Sequence, residues 1–360
     1  MRYRESNQMT DAHTVRLEPV GVEFEVENGE TVLNAAFRQG IALPHGCKEG
    51  QCSACKCVLL EGEVDMLKYS TFALNDMEKD SGHILLCRSI AYSDMQVELL
   101  NYDEEVLAKS IAVKTFKGRI SKFEHLTHDI RGIEIELGSP IKFWAGQYVD
   151  ITVTTQKGET ITRSFSMANT PDQTQKLSFI IKKYPEGKFS GELDSGGIRV
   201  GAEVTVVGPY GTCFRREERQ GPLILVGAGS GMSPVWSILN DHLKSGEKRD
   251  VYFFYGARTP SDLFYLDRIT ELAGSHPELN FIPVLSHVNG EAWDGERGFV
   301  HQSVDAKLKQ LAVDGQGDVY ACGPPPMIDA LQPVLFMNGF ETERIFFDRF
   351  TTSSSATPAH

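Results

Sequence analysis

Four of the chain's seven cysteines crowd into the eleven residues CKEGQCSACKC, 47–57. Thiols this dense constrain the fold around them, because the backbone must either wrap what they bind or be stapled by the bonds they form with one another. Three outcomes are open: a zinc site, a disulfide cluster, or a socket for iron and sulfide. Seven is an odd number spread over 360 residues, which fits a secreted disulfide framework poorly and cytosolic metal or redox chemistry better. The polar start MRYRESNQMTDAH leads into no apolar stretch, and no run approaches the roughly eighteen apolar residues of a membrane span. A cytoplasmic protein is expected, and at this length two or three domains, each with its own core.

Three textures follow one another along the chain. Within residues 14–26, VRLEPVGVEFEV alternates like a two-stranded ribbon, ENGE supplies a turn, and Thr31 can cap a short helix VLNAAFRQ that stops at Gly40. A small α+β domain over 10–108 fits this pattern. Over 112–215 the runs GQYVDITVT, ITRSFSMAN, KLSFIIKKY and EVTVVGPYG are short, alternating and separated by turn residues, as in an antiparallel β-barrel. Over 217–350, PLILVGAGSGMSPVWSILNDHLK reads as a buried strand, a glycine turn and a proline-started helix. The apolar runs VYFFYGA, NFIPVLS and DVYACG then alternate with helical segments, which predicts an α/β parallel sheet. The tail 351–360, TTSSSATPAH, is expected to be disordered.

Cys47, Cys52 and Cys55 read CxxxxCxxC, with Cys87 following in LLCRS. Zinc sites more often use two short CxxC knuckles, and only one such pair is present. The spacing is that of plant-type [2Fe–2S] clusters, where one wrapping loop and one distant segment supply the thiolates. Cys57 lies two residues past a ligand at the start of CVLLEGEV, and a buried structural thiol is its default reading. Gly46, Gly50, Ser53 and Ala54 are small enough to let backbone N–H groups approach the sulfurs.

Two further constellations carry nucleotide chemistry. RSFS, Arg163 to Ser166, sets a guanidinium, a ring and hydroxyls along one strand; Arg163 suits a pyrophosphate, and Phe165 can lie against a flavin or ribose. In GKFSGEL, Gly187 and Ser190 fall at a helix start, where free N–H groups favour phosphate. In LILVGAGSGMSP, Gly227, Gly229 and Gly231 can bring backbone close to a dinucleotide, although the spacing departs from GxGxxG. YACGPPPM places Cys322 and Gly323 at a carboxyl end of the sheet, where α/β ligands bind; simple packing is the alternative for Cys322.

In this order, the CKEGQCSACKC segment, RSFS and GAGSGMSP with CGPPPM resemble one family over nearly the whole chain. The chain is similar to the ferredoxin-NAD(P)H reductase components of bacterial multicomponent oxygenases, among them the methane, propane, tetrahydrofuran and phenol monooxygenases and the benzoate-type dioxygenases. CKEGQCSACKCVLLEGEVDMLKYSTFAL with LLCRS and VELLNYDEE looks most like the reductases of propane and related diiron monooxygenases. The resemblance implies a β-grasp ferredoxin domain, an FAD barrel and an NAD domain. It makes Cys47, Cys52, Cys55 and Cys87 the cluster ligands, and gives FAD to Arg163, Ser164, Phe165, Ser166, Lys182, Gly187 and Ser190. It puts Gly227, Gly229, Gly231, Cys322, Gly323 and Pro324 around the nicotinamide dinucleotide, with Ser166, near the flavin N5, and Cys322 as catalytic candidates. In plant photosynthetic relatives a terminal Tyr covers the flavin; this chain runs past FFDRF, which leaves Phe347 or Phe350 open for that place.

The implied chemistry is a two-to-one electron conversion, from NADH through FAD to a [2Fe–2S] cluster and on to the hydroxylase of a diiron monooxygenase. Alternatives are a reductase of a Rieske aromatic-ring dioxygenase and a carrier or redox sensor that does not turn over nicotinamide; the GAGSGMSP and CGPPPM pair speaks against the last. A net charge of −13 argues against nucleic acid as a partner. Residues 1–110 hold 10 Lys plus Arg against 19 Asp plus Glu, either a solvated surface or an acidic docking face for a basic partner. A monomer is expected. NADH rather than NADPH is the expected donor. NADPH-using relatives end a strand in Ser-Arg and add a Lys or Arg two residues before a Tyr, whereas here Ser286 is followed by His287, and Phe299 replaces the Tyr. Arg297 is then the firm cation, and Arg258 in YGART could compensate from the neighbouring strand.

Overall fold

The computed structural model describes residues 12–184, 187–288, 292–313 and 315–350. The tail 351–360 and residues 10 and 11, the expected start of the first domain, lie outside the described residues. The chain forms two compact units, one running to Lys114 and including Tyr210–Thr212, the other made of Thr115–Pro209 and the chain from Cys213 onward.

The first unit contains β1 (His13–Glu18), β2 (Val22–Val26), α1 (Val32–Arg38), β3 (Lys56–Glu61), β4 (Val64–Met66), α2 (Asp76–Asp80), β5 (His83–Leu85), β6 (Ser89–Ala91), β7 (Met95–Leu99) and α3 (Glu104–Ala108). Val15, Leu17, Phe24 and Val26 alternate inward along the antiparallel β1–β2 ribbon, which is why that stretch pairs as a hairpin. Thr31 caps α1 by accepting the Asn34 N–H at 3.3 Å, and Gly40 follows the helix with φ +78°. The main sheet has the order β2-β1-β7-β3-β5, with β1 and β7 parallel, a β-grasp arrangement. Antiparallel pairing of β3 with β5 sets Lys56 opposite Leu85, and the Leu86 N–H bonds the Cys55 carbonyl at 3.1 Å. The register of this sheet thus brings Cys87 back to the cysteine loop.

The second unit opens with β8 (Lys114–His125), β9 (Ile130–Leu137), β10 (Tyr148–Thr154), β11 (Thr160–Ser166), β12 (Lys176–Lys182), α4 (Lys188–Ser195) and β13 (Glu203–Tyr210). The strands lie in the order β11-β10-β13-β8-β9-β12, and a bridge from Met167 to Phe179 links the two ends into a barrel-like closure. Ile133, Ile135, Val149, Ile151, Val153 and Ile161 fill its interior. After it come β14 (Leu223–Ala228), α5 (Met232–Ser245), β15 (Val251–Ala257), α6 (Leu266–Ser275), β16 (Leu279–Leu285), β17 (Glu296–Arg297), α7 (Val300–Leu311), β18 (Asp318–Gly323), α8 (Pro325–Met337) and β19 (Ile345–Arg349). These strands form a parallel sheet in the order β17-β16-β15-β14-β18-β19. Both faces are covered, so its strands are apolar throughout: α5 and α6 pack on one face and α7 and α8 on the other. Ile130, Ala168 and Ile180 of the barrel belong to the same apolar cluster as Leu225 of β14 and Met232 and Val235 of α5. Barrel and parallel sheet therefore share a core within this unit.

Candidate functional site

The cysteine loop is wrapped so that amides face sulfur. The Glu49 and Gln51 N–H groups donate to the Cys47 Sγ at 3.4 and 3.2 Å, and the Cys47 N–H donates to the Cys52 Sγ at 3.4 Å. Gly50 has φ +70°, and a Cβ there would come within 2.8 Å of both Arg88 and Tyr69; one on Gly46 would meet the Cys52 sulfur at 3.1 Å. The thiols are paired, Cys47 with Cys52 and Cys55 with Cys87. Cys47 falls to about 5, first through the hydrogen bond with Cys52 and then through the surrounding amides. Its partner Cys52 is pushed up by the same shared hydrogen bond and by burial, as Cys55 is by Cys87.

Among the described residues, no three of these sulfurs lie within 4.8 Å of one another. A single tetrahedral zinc would gather all four at about 3.8 Å from each other, given Zn–S bonds of about 2.3 Å. Two separate pairs instead suit two irons, each taking two thiolates, so the donor set fits a [2Fe–2S] cluster. Cys57 stands apart in β3, fully buried, its thiol pushed up by burial.

On β11 the side chains alternate. Arg163 and Phe165 share one face, and Ser164 and Ser166 the other. The Arg163 guanidinium donates to the Thr162 carbonyl at 2.7 Å, and the Ser164 hydroxyl to Asp150 at 2.5 Å. The Phe165 ring lies 4.8 Å from that of Phe189, which ties the start of α4 to this strand. Among the described residues Gly187 caps α4 with no side-chain hydrogen bond; a Cβ at Gly187 would fall 2.4 Å from the hydroxyl of buried Ser190. Lys182 lies on β12, its ammonium 3.3 Å from Asp129.

The glycine turn after β14 is a single 3-10 turn, Gly229–Gly231, and α5 begins at Met232, so Pro234 is its third residue rather than its first. Gly229 has φ +56° and open space around it, which admits a ligand close to the backbone. At Gly231 a Cβ would stand 2.1 Å from the Cys322 carbonyl oxygen, so only glycine lets the turn meet the end of β18. Gly227 is in register with Cys322, and Gly323 and Pro324 lead into α8. This is the crevice at the carboxyl ends of β14 and β18, where the chain leaves in opposite directions to either side. The Cys322 thiol is raised well above its ordinary value, first by a hydrogen bond with the Cys213 thiol and then by burial. The Phe350 N–H bonds the Gly323 carbonyl at 2.9 Å, while Phe347 lies opposite Ala321.

At the carboxyl ends of β15 and β16, Arg258 is committed to carboxylates, at 3.0 Å from Asp262 and 3.5 Å from Asp129. Ser286 bonds the His287 ring at 2.9 Å, Arg297 donates to the Trp293 carbonyl at 3.2 Å, and Phe299 is exposed.

Sequence reasoning passed over several residues that the fold draws in. Cys213 leaves no local signal beyond being a cysteine. Asp348, next to Cys322 across β18–β19 and raised to about 6 by burial, could have been noticed as a carboxylate directly after the apolar run IFF. Ser233, buried at the start of α5, gives no signal at all.

Three family descriptions match in succession: a 2Fe-2S iron-sulfur cluster binding domain over residues 15–92, an oxidoreductase FAD-binding domain over 117–214 and an oxidoreductase NAD-binding domain over 225–332. The reductase component of propane 2-monooxygenase from Rhodococcus jostii (strain RHA1) is 43% identical, covering 96% of this chain and 93% of that protein. The phenol 2-monooxygenase reductase component DmpP from Pseudomonas sp. (strain CF600) is 36% identical over 95% of this chain and 96% of its own. Among solved structures, the Amycolatopsis cytochrome P450 reductase GcoB is similar with a TM-score of 0.83 and 28% identity, covering 94% of this chain and 99% of that one.

Proposed function

Since this chain belongs to the family of monooxygenase reductase components, with [2Fe–2S], FAD-binding and NAD-binding domains, we propose that it feeds a propane-type diiron hydroxylase with electrons drawn from NADH. The observation that carries this reading is the 43% identity to a propane 2-monooxygenase reductase component along almost the whole of both chains. When bound, FAD takes the two electrons of a hydride and releases them singly, and the cluster carries one at a time.

The chain's own residues hold and space these groups. We assign 10–108 to the ferredoxin domain, 112–215 to the FAD domain and 217–350 to the NAD domain. Cys47, Cys52, Cys55 and Cys87 hold the cluster, and the amides of Cys47, Glu49 and Gln51, which already face sulfur, stabilise its negative charge. Arg163, Ser164, Phe165, Ser166, Lys182, Gly187 and Ser190 hold FAD; the start of α4, where Gly187 offers no side-chain cap, favours its phosphates. Gly227, Gly229, Gly231, Gly323 and Pro324 line the dinucleotide, with Ser166 and Cys322 at the reacting end. The donor is NADH, because His287 and Phe299 stand where NADPH-using relatives place Arg and Tyr, and the Arg258 charge that could assist Arg297 is spent on Asp262 and Asp129. No described helix is long and apolar enough to cross a membrane, and we take the protein to act as a cytoplasmic monomer.

The test is reconstitution. Purified protein with NADH is mixed with a propane hydroxylase, a phenol hydroxylase or the oxygenase of a Rieske dioxygenase, and substrate oxidation per NADH is measured. Coupled turnover with the propane enzyme is expected; tighter coupling with the Rieske oxygenase would overturn the reading.

A further inference from the structure

Beside its apolar contacts with the barrel, α5 places three polar side chains against it, Ser233, Ser237 and Lys244, and each of the three has a partner. The Ser233 hydroxyl, 1% exposed, donates to the Ser166 carbonyl at 2.6 Å and accepts the Ile180 N–H at 3.3 Å. One turn on, the fully buried Ser237 donates to the Asn169 carbonyl at 2.7 Å. Near the helix end, the Lys244 ammonium bonds the Thr170 hydroxyl at 2.9 Å and the Asp172 carboxylate at 3.1 Å. The helix is thus laid along residues 166–172, the segment that leaves β11.

Ser233 differs from the other two in what it joins. On one side it takes the last carbonyl of β11, the strand assigned to FAD, and an amide of β12. On the other it lies two residues beyond Gly231, whose bare Cα packs on the Cys322 carbonyl and Gly323. One hydroxyl therefore connects the flavin strand to the nicotinamide turn, with both bonds inside the core and sheltered from competing water.

Resting on the assignment of those two motifs, we propose that Ser233 is a positioning residue for hydride transfer: by bonding the Ser166 carbonyl and the Ile180 amide, it fixes the Gly229–Gly231 turn against the end of β11. It touches neither reactant. Reaction requires donor and acceptor atoms about 3–3.5 Å apart, and a shift of about 1 Å can cost about a hundredfold in rate. Ser237 makes a comparable bond farther from both motifs and serves mainly to hold the helix.

The experiment is anaerobic stopped-flow reduction of the flavin by NADH and by 4-deuterated NADH, with flavin content, nicotinamide–flavin charge-transfer absorbance and thermal unfolding recorded in parallel. Ser233→Ala should retain FAD and cluster absorbance and bind NADH within about threefold of the parent. It should reduce its flavin about tenfold or more slowly, with a weakened charge-transfer band and a larger isotope effect. Ser233→Thr, which keeps the hydroxyl, should recover most of the rate. Ser237→Ala should lower the unfolding temperature as much as Ser233→Ala while keeping the reduction rate within about twofold. Full-rate reduction with an unchanged isotope effect in Ser233→Ala overturns the proposal, as does an equal slowing in Ser237→Ala. If Ser233→Ala does not fold, Ser233→Cys, close in shape but a weak donor, decides: a parental rate overturns the proposal and a slowed one supports it. Absence of flavin reduction by NADH in the parent protein would sink the underlying assignment, and the proposal with it.

Discussion

At the scale of single residues, the cysteines have divided tasks. Cys47 pairs with Cys52 within a loop whose amides point at sulfur, Cys55 pairs with Cys87 from beyond β5, and Cys57 is buried in β3 away from them. Replacing Cys47, Cys52, Cys55 or Cys87 by Ser should abolish or cripple the iron–sulfur absorbance and EPR signal and leave FAD bound, because the loop and the barrel lie in different compact units. Cys57→Ser should keep the cluster, and the reverse pattern would refute the ligand assignment. His242 makes a second case. It is 1% exposed on α5, and burial, then the charge of Arg215, lowers its pKa to about 4 from 6.5. The unfolded chain therefore binds this proton more readily than the folded one, so the contribution of neutral His242 is complete above about pH 6.5 and is lost as pH falls toward 4. His242→Leu should reduce the loss of stability between pH 7 and pH 5 by about 1–2 kcal/mol in thermal or urea unfolding. An unchanged pH dependence would show that the ring titrates alike in both states.

At the scale of elements, the carboxyl ends of β15 and β16 bear on the choice of donor. A 2′-phosphate needs a cation with donors to spare. Arg258 is held by two aspartates, one of them Asp262, which also accepts the Thr259 N–H at 2.9 Å and so has a fixed place. The ratio of kcat/KM for NADH over NADPH should be well above one. His287→Arg should lower it by about tenfold or more, the scale of one added charge-assisted contact. Comparable constants for the two donors in the parent protein would refute this account. The elements themselves were legible wherever local rules decide them: the Thr31 cap, the alternation of β1 and β2, and the apolar β14 with its glycine turn all stand where the residues predict. Pro234 is the exception, since a 3-10 turn at Gly229–Gly231 comes first and moves the helix start.

At the scale of the whole molecule, charge is the lever. Residues 1–110 carry 19 acidic against 10 basic side chains in a chain of net charge −13. If that surface steers docking, electron delivery to the hydroxylase should slow about tenfold or more between low and high salt, while NADH-to-ferricyanide turnover changes much less. Equal sensitivity would mean that the acid serves solubility alone. The amino-acid sequence by itself determined what rests on identity and spacing: the thiol count and its CxxxxCxxC phrase, the barrel-like alternation, the glycine turn, and through them the family and its electron path. Tertiary structure alone decided which groups meet. Cys87 reaches Cys55 through the β3–β5 register, Arg258 is occupied by an aspartate from the barrel, and Ser233 finds a carbonyl 67 residues away. No local pattern encodes these meetings, because propensity and periodicity act over a few residues, whereas a hydrogen bond or ion pair between distant segments exists only once the core has set their separation.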